Sequence, residues 1–321
     1  MARTRPGRGK LAPRGASGYP RRMRKQTSIG SWRAALRCAA LGLAAFGLVS
    51  LLPVRGALAD DAANHYNAGL QLKREGKVPE AIAEVEKAIA IRPKYAAAHF
   101  TLGNLWRAQG SYDKAAAEYE KVTDLEPKDA DAHGNLGAAY VRLNRVDDGI
   151  KELERAVELQ PNLYEPRLSL GKAYRLKNDY PHAIVHLEKA TQLQPADPVG
   201  WSNLGVVRSH AGDLPGAIAA FRRALSISPN DAEMHFNLAT VYRRQRDAEN
   251  AITEYRAAIT ANPRLAKAYY DLGIVLSQER HTEESADAFE KYLQNGPEDA
   301  ASRKDAEERL QSLRAALAKK K

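Results

Sequence analysis

The chain has 321 residues, 27% of them charged and 7% aromatic, with one cysteine and a formal net charge of +10. A single cysteine, Cys38, excludes an internal disulfide and a paired-cysteine metal site. The positive balance does not mark a nucleic-acid binder: residues 1–59 hold 12 basic residues and the first acidic one is Asp60, leaving 37 basic against 39 acidic residues in 60–321.

Residues 1–59 read as a leader. A basic stretch ends at Arg37, an uncharged apolar run fills 38–52, and Ala57-Leu58-Ala59 supplies an A-x-A site before Asp60. These are the three parts of a secretory signal peptide, so the remainder is expected in the periplasm or secreted. The alternative is an uncleaved single-pass anchor through residues 38–54, with the same side exposed. Met23 would open a leader of ordinary length, and initiation there is expected in place of Met1.

From residue 62 the chain repeats. Pro93, Pro127, Pro161, Pro195, Pro229, Pro263 and Pro297 recur every 34 residues without a slip. At another phase stand Leu102-Gly103, Leu136-Gly137, Leu170-Gly171, Leu204-Gly205, Leu238-Ala239 and Leu272-Gly273. Small residues follow at Ala81, Ala115, Gly149, Ala183, Ala217, Ala251 and Ser285, then large ones at Val85, Tyr119, Leu153, Leu187, Phe221, Tyr255 and Phe289. Each unit carries two apolar-periodic segments split by a turn, which predicts helix-turn-helix units over 62–95, 96–129, 130–163, 164–197, 198–231, 232–265 and 266–299. Proline ends each second helix because it lacks the backbone donor. Asp129, Asp197, Asp231 and Asp299 stand where the next helix needs an N-cap. Residues 300–321 are expected to form a capping helix, with Ala306, Leu310, Leu313 and Leu317 on its apolar stripe, and a basic tail.

This small–small–large–proline pattern resembles the tetratricopeptide repeat (TPR) family across residues 62–299. The resemblance implies an all-α fold: a right-handed superhelix, or α-solenoid, of seven repeats plus a C-terminal capping helix. In that family the first helix of each hairpin lines a concave groove that holds other polypeptides.

No phosphate loop, zinc-binding His-Glu-x-x-His or nucleophile elbow occurs in 60–321, so no catalytic residue, metal or cofactor is expected and the chain reads as a non-enzyme. His65, His99, His133 and His235 share one phase with Trp201 and Tyr269, which marks a packing slot. His182 and His186 have the i, i+4 spacing of a metal pair, but no third ligand is patterned beside them and a solvated face is expected.

The groove columns follow from the resemblance. One reads Asn67, Thr101, Asn135, Ser169, Asn203, Asn237 and Asp271, small polar residues suited to the alternating C=O and N–H of an extended peptide, with Asn104 nearby. It is similar to the asparagine ladder of O-GlcNAc transferase TPR domains, although no glycosyltransferase domain follows. The neighbouring column offers Tyr66, Phe100, Phe236 and Tyr270 as apolar surface. It lacks the lysine with which chaperone-binding members clamp a carboxylate. Further round stand Lys73, Arg74, Arg107, Arg142, Lys172, Arg175, Arg243, Arg244 and Lys267, against Asp131, Glu165, Glu233 and Asp271. That excess of positive charge favours an acidic segment over a basic one. The expected function is a non-catalytic protein- or peptide-binding scaffold or adaptor outside the cytoplasm. Its alternatives are an accessory subunit that presents substrate to a transferase, and a membrane-anchored scaffold of an envelope complex.

Overall fold

The computed structural model describes residues 54–296 and 299–319, with side chains from residue 61 onward. The expectations for the basic and apolar parts of the leader, for Pro297 and for the last two lysines lie outside the described residues. Among these residues there are fifteen helices and no strand. Seven hairpins run α1 (Val54–Arg74) with α2 (Val78–Ile91), α3 (Ala96–Ala108) with α4 (Tyr112–Leu125), α5 (Ala130–Arg142) with α6 (Val146–Leu159) and α7 (Tyr164–Leu176) with α8 (Tyr180–Leu193). They continue as α9 (Pro198–Ala211) with α10 (Leu214–Ile227), α11 (Ala232–Arg244) with α12 (Ala248–Ala261) and α13 (Ala266–Gln278) with α14 (Thr282–Asn295). The cap is α15 (Ala300–Ala318). The backbone of 57–59 lies in the first turns of α1. No helix among the described residues is long and apolar enough to cross a membrane.

Local chemistry sets the helix ends. Asp129, Asp197, Asp231 and Asp299 each accept a backbone N–H of the following turn, from Ala132, Val199, Met234 and Ser302. Asp179, Asp213 and Asp247 do the same for second helices. The turn inside every hairpin passes through one left-handed residue at a fixed phase: Gly76, Gly110, Asn144, Asn178, Gly212, Arg246 and Arg280, with φ between 58° and 86°. Glycine and asparagine adopt this conformation readily, while the two arginines carry its strain.

Each helix packs on its sequence neighbours, and first helices also touch directly, α5 with α7, α7 with α9 and α9 with α11. No comparable contact joins second helices among the described residues. Crowded first helices and splayed second helices make a curve whose inner wall is the first-helix row. The core between the layers is filled by the large column, with Tyr119, Leu153, Leu187, Phe221, Tyr255 and Phe289 all inaccessible to solvent.

The histidine slot has a definite chemistry. Nδ1 of His65, His99, His133 and His235 lies 2.6 Å from the carboxylate of Glu84, Glu118, Glu152 and Glu254, nineteen residues ahead on the second helix. Nε2 of the last three meets the carbonyl oxygen of Pro93, Pro127 and Pro229, at the end of the preceding repeat. One ring thus staples the two helices of its hairpin to the turn that ends the preceding repeat. The partner changes with the residue: Arg167 bonds the same proline carbonyl, at Pro161, and reaches His186 Nδ1 at 3.3 Å, while Trp201 Nε1 donates to Pro195 and has Ala220 across from it. His186 is therefore a packing partner rather than a solvated residue; it stacks on Tyr174, as does His182, whose Nδ1 binds Asp179.

Glu152→Ala strands the His133 ring nitrogen and lowers stability by about 1–3 kcal/mol. Adding His133→Trp, which reproduces the Trp201 arrangement, recovers most of that loss. Denaturant midpoints of the two single variants and the double variant measure this coupling.

Candidate functional site

Because the first helices lie side by side in one direction, a repeat phase becomes a spatial row. Lys267 Nζ bonds Glu233 Oε2, thirty-four residues back, at 2.6 Å, and Arg244 reaches the hydroxyl and carbonyl of Ser209. Two of the concavities along this wall lie in repeats 2–4. One, of about 370 Å³, is lined by Arg107, Asp131, Gly134, Asn135, Ala138, Glu165, Pro166 and Ser169, all from α3, α5 and α7. The other, of about 470 Å³, shares Arg107 and Ala138 with it and adds Ala108, Tyr112, Ala139 and Arg142. Gly134 keeps this floor low: a Cβ there would sit 2.9 Å from the Pro166 ring.

The polar column divides into engaged and open members. Thr101 is buried and its hydroxyl lies 3.2 Å from Tyr66 Oη. Asn203 donates to the Val199 carbonyl of its own helix. Asn104 accepts a hydrogen bond from Tyr119 Oη at 2.9 Å, which ties its carbonyl to the core rather than to the groove. Asn135, Ser169 and Asn237 are half-buried and make no side-chain hydrogen bond among the described residues, and Asn67 is exposed. The column runs one residue further than the sequence reading placed it. Asp305 on the cap stands one period beyond Asp271, accepts from Tyr270 Oη at 2.7 Å and is held by Arg309.

The four aromatic residues form wall rather than free hooks. Tyr66 rests on Tyr95, Phe100 on Tyr119, Phe236 on Tyr255 and Tyr270 on Tyr292, with ring centroids 5.0–5.9 Å apart. Lys267 sits over the Phe236 ring. Burial and the Asp305 carboxylate push the Tyr270 hydroxyl up to about 12, so it stays a donor to the cap. Among the basic residues, Arg107 lies beside the Tyr119 hydroxyl and Arg142 covers the Tyr112 ring. Lys172 and Arg175 have no partner among the described residues. Arg243 faces Asp271 at 3.6 Å, too long for a hydrogen bond, and its Nε is buried without an acceptor.

Asp271 is correspondingly under-bonded. Its other nearby donor is Tyr255 Oη at 3.5 Å. Burial raises its pKa and outweighs the lowering by Arg243 and the Tyr255 hydroxyl. An acid raised on folding costs stability in its ionised form, and that cost vanishes once the pH falls below the unfolded value, where both states are protonated. Asp271→Asn is expected to raise the unfolding midpoint at neutral pH, with the gain shrinking to nothing in acid. Paired titrations of the midpoint against pH read it.

No curated protein sequence matches the chain. Its fold resembles the C-terminal part of a TPR repeat-containing protein from Cytophaga hutchinsonii (TM-score 0.61, 16% identity, 75% of this chain and 98% of that one). It also resembles PilW, a type IV pilus biogenesis factor (0.58, 20%, 67% and 98%), and YrrB, a TPR protein with an unusual peptide-binding site (0.51, 19%, 59% and 97%). A family model matches residues 49–313, and the chain therefore belongs to the tetratricopeptide-repeat family described as the Cilia and flagella-associated protein 70 C-terminal domain.

Proposed function

We propose that the protein is a scaffold whose first-helix trough holds an extended segment of another polypeptide. The observation that carries this is the set of open hydrogen-bonding groups, Asn135, Ser169 and Asn237, in a column where Thr101 and Asn203 are already engaged within the chain. Half-buried amides and hydroxyls without partners are costly unless a ligand or water meets them, and a peptide main chain offers both donors and acceptors at regular intervals. The fold hosts such use elsewhere, since YrrB carries a peptide-binding site. The leader pattern of residues 1–59 supports action outside the cytoplasm, in the periplasm or at the envelope.

With a peptide selected from a random library on the full chain as probe, Asn135→Ala, Ser169→Ala and Asn237→Ala together weaken binding about tenfold or more, at roughly 0.5–1.5 kcal/mol per lost bond. The melting temperature stays within a degree or so, because none of the three supports the fold. Unchanged affinity would place the ligand on another surface. The location is read by fractionation: the repeats are expected in the periplasmic or envelope fraction, and recovery with cytoplasmic markers would refute export.

A further inference from the structure

The charges of the trough are sorted by edge. The last turns of α1, α3, α5, α7, α9 and α11 carry Lys73 and Arg74, Arg107, Arg142, Arg175, Arg208 and His210, and Arg243 and Arg244. None of the second helices, α2, α4, α6, α8, α10, α12 or α14, has a basic residue in its last turn. Compensation of the helix dipole would favour such residues on both sets equally, so it does not explain a row confined to the groove helices. Acidic residues begin both kinds of helix and are less diagnostic by themselves. Asp131 and Glu165 nevertheless open into the same concavity as Asn135, Ser169 and Arg107.

Towards the C-terminal end the two rows are largely spent. Arg208 pairs with Glu188, Glu233 with Lys267, and Arg244 binds Ser209. In repeats 2–4 no ion pair among the described residues holds Asp131, Glu165, Arg107, Arg142 or Arg175. This stretch is therefore a trough with a negative edge, a hydrogen-bonding floor at Asn135 and Ser169, and a positive edge to which Lys172, one turn beyond Ser169, adds. At ~1.5 Å per residue, the eleven positions from Asp131 to Arg142 set the edges about 16 Å apart.

We propose, building on the peptide-in-trough reading, that repeats 2–4 select an extended segment whose charges alternate in sign from one residue to the next. A strand laid along the trough with its main-chain amides towards the floor sends successive side chains to opposite edges. Odd positions then meet one edge and even positions the other. Cationic side chains at one parity face Asp131 and Glu165, and carboxylates at the other parity face Arg107, Arg142 and Arg175. Same-side residues of a strand fall about 7 Å apart. Adjacent helices stand about 10 Å apart, so long side chains reach every rung. A uniformly acidic segment would satisfy one edge and be repelled by the other.

The test compares two labelled peptides of about eight residues, equal in lysine and glutamate content, one strictly alternating and one with the charges in two blocks. Fluorescence anisotropy against the full chain at low salt is expected to give about tenfold tighter binding of the alternating peptide. Asp131→Lys with Glu165→Lys, both at exposed positions, should abolish that preference and shift it to an all-glutamate peptide. Equal affinities for the two patterns, with Asn135→Ala and Ser169→Ala still weakening both, overturn the charge reading and leave the trough as the binding site. Affinities that ignore Asn135→Ala and Ser169→Ala overturn the trough reading itself. No measurable binding of either peptide overturns the proposal as well.

Discussion

Where a first helix crosses the second helix of its own repeat, a glycine meets a large side chain: Gly69 with Val85, Gly103 with Tyr119, Gly137 with Leu153, Gly171 with Leu187, Gly205 with Phe221 and Gly273 with Phe289. A Cβ at any of them would fall within 3 Å of its neighbour, and at Gly137 also within 3 Å of the Gly149 carbonyl oxygen. Six glycines inside helices cost about 1 kcal/mol each in propensity, and the close approach they permit offsets it through core contact. That approach sets the depth of six of the seven hairpins; in the sixth repeat Ala239, fully buried, holds the same position. Uniform depth lets the histidine staples join one repeat to the next at the same height, and it brings successive first helices into register. The rows on the inner wall follow from this shared depth.

The period, the seven hairpins, the aspartate caps and the glycine column were all legible in the sequence, because each is a local rule repeated at one phase. The state of each groove residue was less so. A phase tells which row a side chain joins, but not whether a neighbour has already taken its hydrogen bond. Thr101 and Asn104 share the wall with Asn135, yet the first meets a tyrosine of the preceding repeat and the second a tyrosine of its own. Asp305 shows the opposite case: extending the period by one unit would have found it, but the change of pattern at the cap hid the continuation. The staple was also within reach. Glutamate lies nineteen residues beyond each histidine of the slot, histidine beyond Arg167, and alanine beyond Trp201 and Tyr269. Two columns that change together across repeats report a contact as directly as any spatial measurement.

Net charge was the poorest guide. The repeats are nearly neutral by count, and a tally of wall residues suggested a positive groove. The structure sets acids and bases on opposite edges of the same trough, so the field a ligand meets depends on which way its side chains point. Several tallied bases are also internal: Arg243 leans on Asp271, Lys267 on Glu233 and Arg244 on Ser209. Summing charges over a solenoid loses the one coordinate that matters, the position along each helix.

The inner wall is not evenly available. At its start Tyr66 closes on Thr101, and at its end Tyr270 and Arg309 close on Asp305, so both ends spend much of their polar capacity within the chain. Between them, where α5, α7 and α9 touch directly, Asn135, Ser169, Asp131, Glu165 and Arg175 are left open among the described residues. None of these belongs to the glycine column, the staples or the caps. The contacts between layers repeat from hairpin to hairpin, whereas the polar groups that the inner layer leaves unsatisfied do not, so a strictly repeated architecture presents a surface that is not itself repeated.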